Sequence, residues 1–122
     1  MAGVCGLEHG HWGERLAEAV LAACGYTCLD RRWRAPRGEL DLVARRGDAL
    51  VFVEVKARRE DGAGPPECFI DARKRHRVRQ AARAWLAAHP EQRGARLRFD
   101  VVAIAHRGTA GGVDIRHLVD AF

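Results

Sequence analysis

Residues 38–57 read GELDLVARRGDALVFVEVKA, and the fold turns on how this stretch pairs with itself. The alternation across 38–44 predicts a strand with Leu40, Leu42 and Ala44 on one face and Glu39, Asp41 and Val43 on the other. Residues 49–57 form the next strand, and its continuous apolar run Leu50 to Val53 fits an element covered on both faces. Glu54 and Lys56 then stand at the end of a buried element, an expensive place for charge. Gly47-Asp48 between the strands suits a two-residue hairpin turn of the primed type. With that turn Arg46 pairs with Ala49, which sets Asp41 across from Glu54 and Glu39 across from Lys56, all on one face.

Opposed carboxylates, with Cβ atoms about 5 Å apart, repel one another. A divalent cation offsets that repulsion, because Mg²⁺ takes one or two carboxylates together with waters and phosphate oxygens. Asp41 and Glu54 would supply the carboxylates and the Val55 carbonyl a backbone ligand. Lys56 would balance developing charge or orient an attacking water, whose pKa the metal lowers. The alternative is an ion-pair network in which Lys56 merely balances Glu39 or Glu54, and an isolated Glu-x-Lys pair would favour it. Asp41, brought in by the hairpin, shifts the weight to a functional site.

On the N-terminal side, Trp12, Leu16, Val20 and Ala23 recur at three- and four-residue steps, predicting an amphipathic helix from Gly10 to Cys24 that Gly25 stops. Tyr26 to Trp33 reads as a strand, and Ala35 to Gly38, with Pro36 inside it, as a turn. On the C-terminal side, Glu60 to Pro66 is a loop, either a lid or DNA-contacting segment or a plain surface connection. A second helix is expected from Glu67 to His89, with Ile70, Val78, Ala82, Trp85 and Leu86 inward and Arg73, Arg75, Arg79 and Arg83 outward. Strands at Leu97 to Ala105 and Val113 to His117 complete the order αβββαββ, one mixed α/β sandwich domain over residues 1–122.

A net charge of +5 and a pI near 9.6 attract polyanions, favouring nucleic acid over an acidic small substrate. No stretch approaches the roughly 18 apolar residues of a membrane span, and the first residues lack the basic-then-apolar layout of a secretion signal. A cytoplasmic protein is expected, with no membrane partner. Cys5, Cys24, Cys28 and Cys68 are irregularly spaced, so no disulfide is expected, and Cys24 and Cys28 lack the second Cys/His pair of a zinc site.

Arg73, Arg75, His76, Arg77, Arg79 and Arg83 form the densest basic stretch, either a phosphate-contacting row or a solvated helix face. Arg31, Arg34 and Arg37 beside Trp33 could touch a nucleic-acid backbone or stack on an unpaired base, although a tryptophan in this position is more often core. Lys74 lies four residues before Val78, near the inward helix face, where it either reaches a scissile phosphate or snorkels. Glu14 shares a helix stripe with Ala17 and Leu21, which turns it partly inward. His9, His11 and His117 have no ligand spacing, and Asp100 reads as a structural strand residue.

Asp41, followed after a twelve-residue gap by Glu54-Val55-Lys56, resembles the PD-(D/E)XK nuclease motif, and the preceding helix with Glu14 is similar to that of archaeal Holliday junction resolvases. Gly13-Glu14, RRWR at 31–34, GELDLVA at 38–44, VFVEVKAR at 51–58, Lys74, RFDVVAI at 98–104 and the terminal AF together resemble the YraN family of small bacterial proteins. The resemblance covers nearly the whole chain. It implies a restriction-endonuclease-like three-layer sandwich with a mixed central sheet and an endonuclease role. Asp41, Glu54 and Lys56 would form the core site, with Glu14 a further carboxylate near the metal. Leu40 replaces the proline of the nominal motif, and Arg32 stands where asparagine is usual. The expected chemistry is Mg²⁺- or Mn²⁺-assisted phosphodiester hydrolysis of DNA, branched in the resolvase analogy, with recognition of shape or backbone more than of base sequence. Arg31, Arg34, Arg37, Arg73, Lys74 and Arg77 are the candidate nucleic-acid contacts. A homodimer would suit a two-fold-symmetric substrate. The rival from a different class is a non-catalytic nucleic-acid-binding adaptor that retains the fold.

Overall fold

The computed structural model describes residues 6–59, 70–106 and 111–122. Helix α1 (Gly6–Ala23) leads into strands β1 (Thr27–Ala35), β2 (Gly38–Arg46) and β3 (Ala49–Arg59). Helix α2 (Ala72–Ala88), a short 3₁₀ turn (Pro90–Gln92), β4 (Arg96–His106) and β5 (Val113–Leu118) follow. The order αβββαββ is the expected one. The strands form one sheet ordered β1-β2-β3-β4-β5, antiparallel except where β3 and β4 run parallel on either side of α2. A parallel pair needs such a crossover.

β3 organises the layers. Val51 and Val53 join Ala17 and Leu21 of α1, whereas Leu50 and Phe52 join Val78, Ala81, Ala82 and Trp85 of α2. The two helices therefore cover opposite faces of the sheet, and the apolar run reflects burial on both sides, as the sequence predicts. No helix among the described residues is long and apolar enough to cross a membrane.

Several boundaries and faces differ from expectation. The buried line of α1 is Ala17 and Leu21, while Trp12 is 37% exposed and Ala23 is also exposed. The Trp12/Val20/Ala23 spacing marks the rim of the helix face and not its centre. α2 starts at Ala72, because Asp71 caps it by accepting the Lys74 N–H at 2.8 Å. Ile70 thus precedes the helix and packs separately, with Val101 and Ala103. The loop read at Glu60 to Pro66 lies outside the described residues, as does the start of the second helix read at Glu67.

The hairpin register is the predicted one, from Arg46↔Ala49 to Leu42↔Val53, with Gly47 at φ 60° in the turn. It ends at Leu42↔Val53, so Glu39 does not continue the ladder to Lys56; it stands instead 3.6 Å from Arg34. Alternation also breaks there. Leu40 lies with Val43 in the α2-side cluster, whereas Leu42 and Ala44 lie on the α1 side. The expected Leu40/Leu42/Ala44 face is therefore corrected, and the slip falls at Asp41.

Candidate active site

Asp41 occupies the point where β2 leaves regular pairing. In an antiparallel ladder of this register the Val55 N–H would bond a backbone carbonyl; here it donates to Asp41 Oδ2 at 2.8 Å. On the other side, the β1–β2 register jumps between Cys28 and Asp30, and Arg32, across from Asp41, has φ 49°. A non-glycine residue in the left-handed region is uncommon, and here it accompanies the irregularity of both ladders.

The Asp41 and Glu54 carboxyl groups meet in a side-chain hydrogen bond. Glu54 is only 7% exposed. Burial and the Asp41 charge push its pKa up to about 8, against the lowering effect of Lys74. Burial also raises Asp41, opposed by the Val55 N–H and Lys74. Two carboxylates this close cannot both ionise cheaply, so a proton between them does what a cation would do. Glu54 is the better-placed donor, because the shared bond raises its pKa and lowers that of Asp41.

An ammonium in contact with the pair comes from Lys74, whose Nζ lies 3.3 Å from Glu54 Oε2. Lys56, expected in this role, is half-buried on β3 next to β4 residue Ala103; with Val53, Val55 and Ala57 turned to α1, alternation keeps it on the Glu54 face. Glu14 approaches from α1. Burial raises its pKa first and the Asp41 charge second, and Arg32 Nε stands 3.3 Å from its Oε1, a buried atom with no hydrogen-bond partner. Asp41 thus links a carboxylate from each helix-facing side of the sheet.

Of the six basic candidates, four converge. Arg34 from the end of β1, Arg37 from the β1–β2 turn, and Lys74 and Arg77 from α2 line one hollow of about 560 Å³, with Glu39 on its wall. The turn sits hard against the helix: a Cβ at Gly38 would lie 2.4 Å from the Arg77 carbonyl oxygen. Arg31 instead forms an ion pair with Glu18 of α1, its Nε 2.6 Å from Oε1, and Arg73 is exposed on α2 outside the hollow lining. Among the described residues no trio of His, Cys, Asp or Glu is arranged to hold a metal by itself.

Sequence reasoning missed three features. The Lys74–Glu54 pair joins residues on separate elements, and the backbone of Arg32 has no signature, since arginine does not advertise a positive φ. The third is the Asp100 hub. Asp100 is fully buried and receives Arg98 Nε at 2.9 Å, Arg98 Nη2 at 2.8 Å and the Asp120 N–H at 3.0 Å, with His117 Nε2 at 2.7 Å. Burial alone would raise its pKa, but His117, Arg98 and the Asp120 N–H outweigh it and hold the carboxyl below its usual value. Its structural role is as expected; its partners were not.

Fold and site together define a mixed α/β domain with two coupled carboxyl groups at the frayed end of a central hairpin, beside a basic hollow. The chain belongs to the uncharacterised protein family UPF0102, which it matches over residues 13–104, the span that holds Glu14, Asp41, Glu54, Lys56 and Lys74. It is 50% identical over 113 residues to a UPF0102 protein of Methylobacterium nodulans, covering 93% of this chain and 82% of the relative. It is 45% identical over 121 residues to one of Nitrobacter winogradskyi, covering 98% and 95%. The family expected from the YraN-like motifs is therefore the one found, and its description assigns no activity.

Proposed function

We propose that the chain is a nuclease-type phosphodiesterase of restriction-endonuclease-like fold that hydrolyses DNA with Mg²⁺ or Mn²⁺ held by Asp41 and Glu54. The observation that carries this is the hydrogen-bonded contact between these two carboxyl groups at the end of a buried hairpin, where burial raises the pKa of both. The donor set suits a hard cation, which usually keeps several waters and accepts only one or two protein carboxylates. The Val55 N–H faces Asp41, and a strand residue turns its N–H and C=O to the same side, so its carbonyl is a further oxygen at that edge. The bound ion would polarise the phosphate and lower the pKa of an attacking water.

The protein's own groups orient and balance. Asp41 and Glu54 exchange their proton for the ion, Glu14 adds negative potential from the α1 side, and Lys56 supplies positive charge along β3. The hollow of Arg34, Arg37, Lys74 and Arg77 holds the backbone next to the carboxylates; among the described residues it offers charge and no aromatic ring, which favours phosphate recognition over base reading. A second reading, a nucleic-acid-binding adaptor without turnover, draws on the Lys74–Glu54 pair, because an ammonium already occupies the Glu54 oxygen that a cation would need.

Metal titrations with cleavage assays on duplex, flap, single-stranded and four-way DNA separate the two. Metal-dependent cleavage that disappears in Asp41→Ala, Glu54→Ala and Lys56→Ala supports the nuclease. Binding that survives all three changes, with no cleavage by the parent protein, supports the adaptor.

A further inference from the structure

Lys74 belongs to two features at once. Its ammonium pairs with Glu54 at 3.3 Å, and the same side chain, about one-third exposed, lines the hollow beside Arg34, Arg37 and Arg77. We infer that Lys74 couples two ligands: a DNA backbone phosphate seated in the hollow draws the ammonium off Glu54 and so frees that carboxylate for the divalent cation. The coupling rests on the cation site proposed above and adds a regulatory step to it.

The chemistry of the side chain permits the exchange. A lysine carries a point charge on a flexible four-carbon stem, so it can change acceptors without any movement of α2. The anchoring of α2 there is independent of the ammonium, since Asp71 caps the Lys74 backbone N–H and Gly38 abuts the Arg77 carbonyl. Without phosphate, a cation arriving at Glu54 must displace the ammonium as well as the proton shared with Asp41. With phosphate present, Lys74 gains a charge-assisted partner among three arginines, and Glu39, the carboxylate on the wall, is engaged by Arg34 at 3.6 Å. Linkage then makes the effect mutual: the phosphate strengthens cation binding and the cation strengthens phosphate binding by the same factor.

The test is direct Mn²⁺ binding to the full chain, read from the EPR signal of free Mn²⁺, with and without a short phosphorothioate DNA duplex. Lys74→Met and Lys74→Gln, checked for folding by circular dichroism, should bind Mn²⁺ more tightly than the parent without DNA. DNA should tighten Mn²⁺ binding in the parent by at least about five-fold more than in either variant. Arg77→Gln, which removes a nearby charge but no Glu54 partner, should weaken DNA binding without tightening Mn²⁺. Variants that bind Mn²⁺ no more tightly than the parent, an equal DNA effect in all proteins, or tightening by Arg77→Gln equal to that of Lys74→Gln would each overturn the inference. A protein that cleaves DNA but lacks this coupling loses only the Lys74 exchange. One that shows the coupling but never cleaves keeps it and passes to the adaptor reading. Absence of Mn²⁺ binding under both conditions removes the exchange and the cation site together.

Discussion

The carboxylate of Asp41 accepts the backbone N–H of Val55 at 2.8 Å, so a side chain takes the place of a backbone carbonyl at the last rung of the β2–β3 hairpin. Asp41→Asn keeps an acceptor for that donor and should fold with near-parent stability. Asp41→Ala leaves a buried N–H unpaired and should cost about 1–3 kcal/mol in chemical denaturation. Both should reduce metal-dependent cleavage by at least about 100-fold, since loss of even an outer-shell metal partner costs 10–100-fold. An Asn variant that cleaves normally would remove Asp41 from the metal site.

Metal-free stability should fall as pH rises. The Glu54 pKa is about 8 in the folded protein against an ordinary glutamate value of 4.5, so the fold binds more protons than the unfolded chain between those values. Its stabilising contribution is complete below the unfolded value and is lost as pH climbs through the folded one. Thermal melts across pH 5 to about 9 should show this decline. Glu54→Gln, which can still donate to Asp41 and accept from Lys74, should flatten it, and an unchanged slope would refute the shared proton.

Asp100 acts with the opposite sign. Its folded pKa lies below the ordinary aspartate value of 3.8, so its contribution is present above that value and is lost as pH falls below it. Asp100→Ala strands Arg98 and His117 partly buried and should destabilise by about 3–5 kcal/mol, measured by urea unfolding. Cleavage per folded molecule should change far less than with Asp41→Ala.

At the turn between β1 and β2, Gly38→Ala would place a Cβ 2.4 Å from the Arg77 carbonyl. Backbone must move, at a cost of about 1–3 kcal/mol. Because the hollow lies between the same two elements, the variant should also bind DNA more weakly, measured by fluorescence anisotropy at fixed salt.

Arg32→Asn should leave stability unchanged or raise it. Asparagine accepts a positive φ more readily than arginine, and the half-exposed ion pair with Glu14 that is lost is worth under about 1 kcal/mol. Arg32→Val, β-branched at the same φ, should lower the melting temperature. Equal melts for the two variants would show that the backbone at 32 carries no strain.

The hairpin was legible because pairing follows from arithmetic once Gly47-Asp48 is the turn: Arg46↔Ala49 fixes every rung to Leu42↔Val53. The meeting of Asp41 and Glu54 follows from that register. What lay beyond it was tertiary. Lys74 reaches Glu54 only because α2 crosses between β3 and β4, and periodicity places a residue on a helix face without saying which strand it meets. The Leu40 change of face and the positive φ of Arg32 are local backbone irregularities, which alternation cannot register. In α1, residues three and four apart recur on neighbouring stripes, so counting apolar positions found the helix but put Trp12 too far inward.

The irregular β1 also shapes how copies of this chain could meet. It is an outer strand, with a register jump at Cys28/Asp30, a left-handed residue at Arg32 and outward charges at Arg31 and Arg34. Such an edge is a poor template for a further strand, so this margin of the molecule is blunted against edge-to-edge aggregation. A symmetric pairing through the β5 margin or the helical faces would leave the β1 rim and its arginines facing solvent, where a polyanion could reach them.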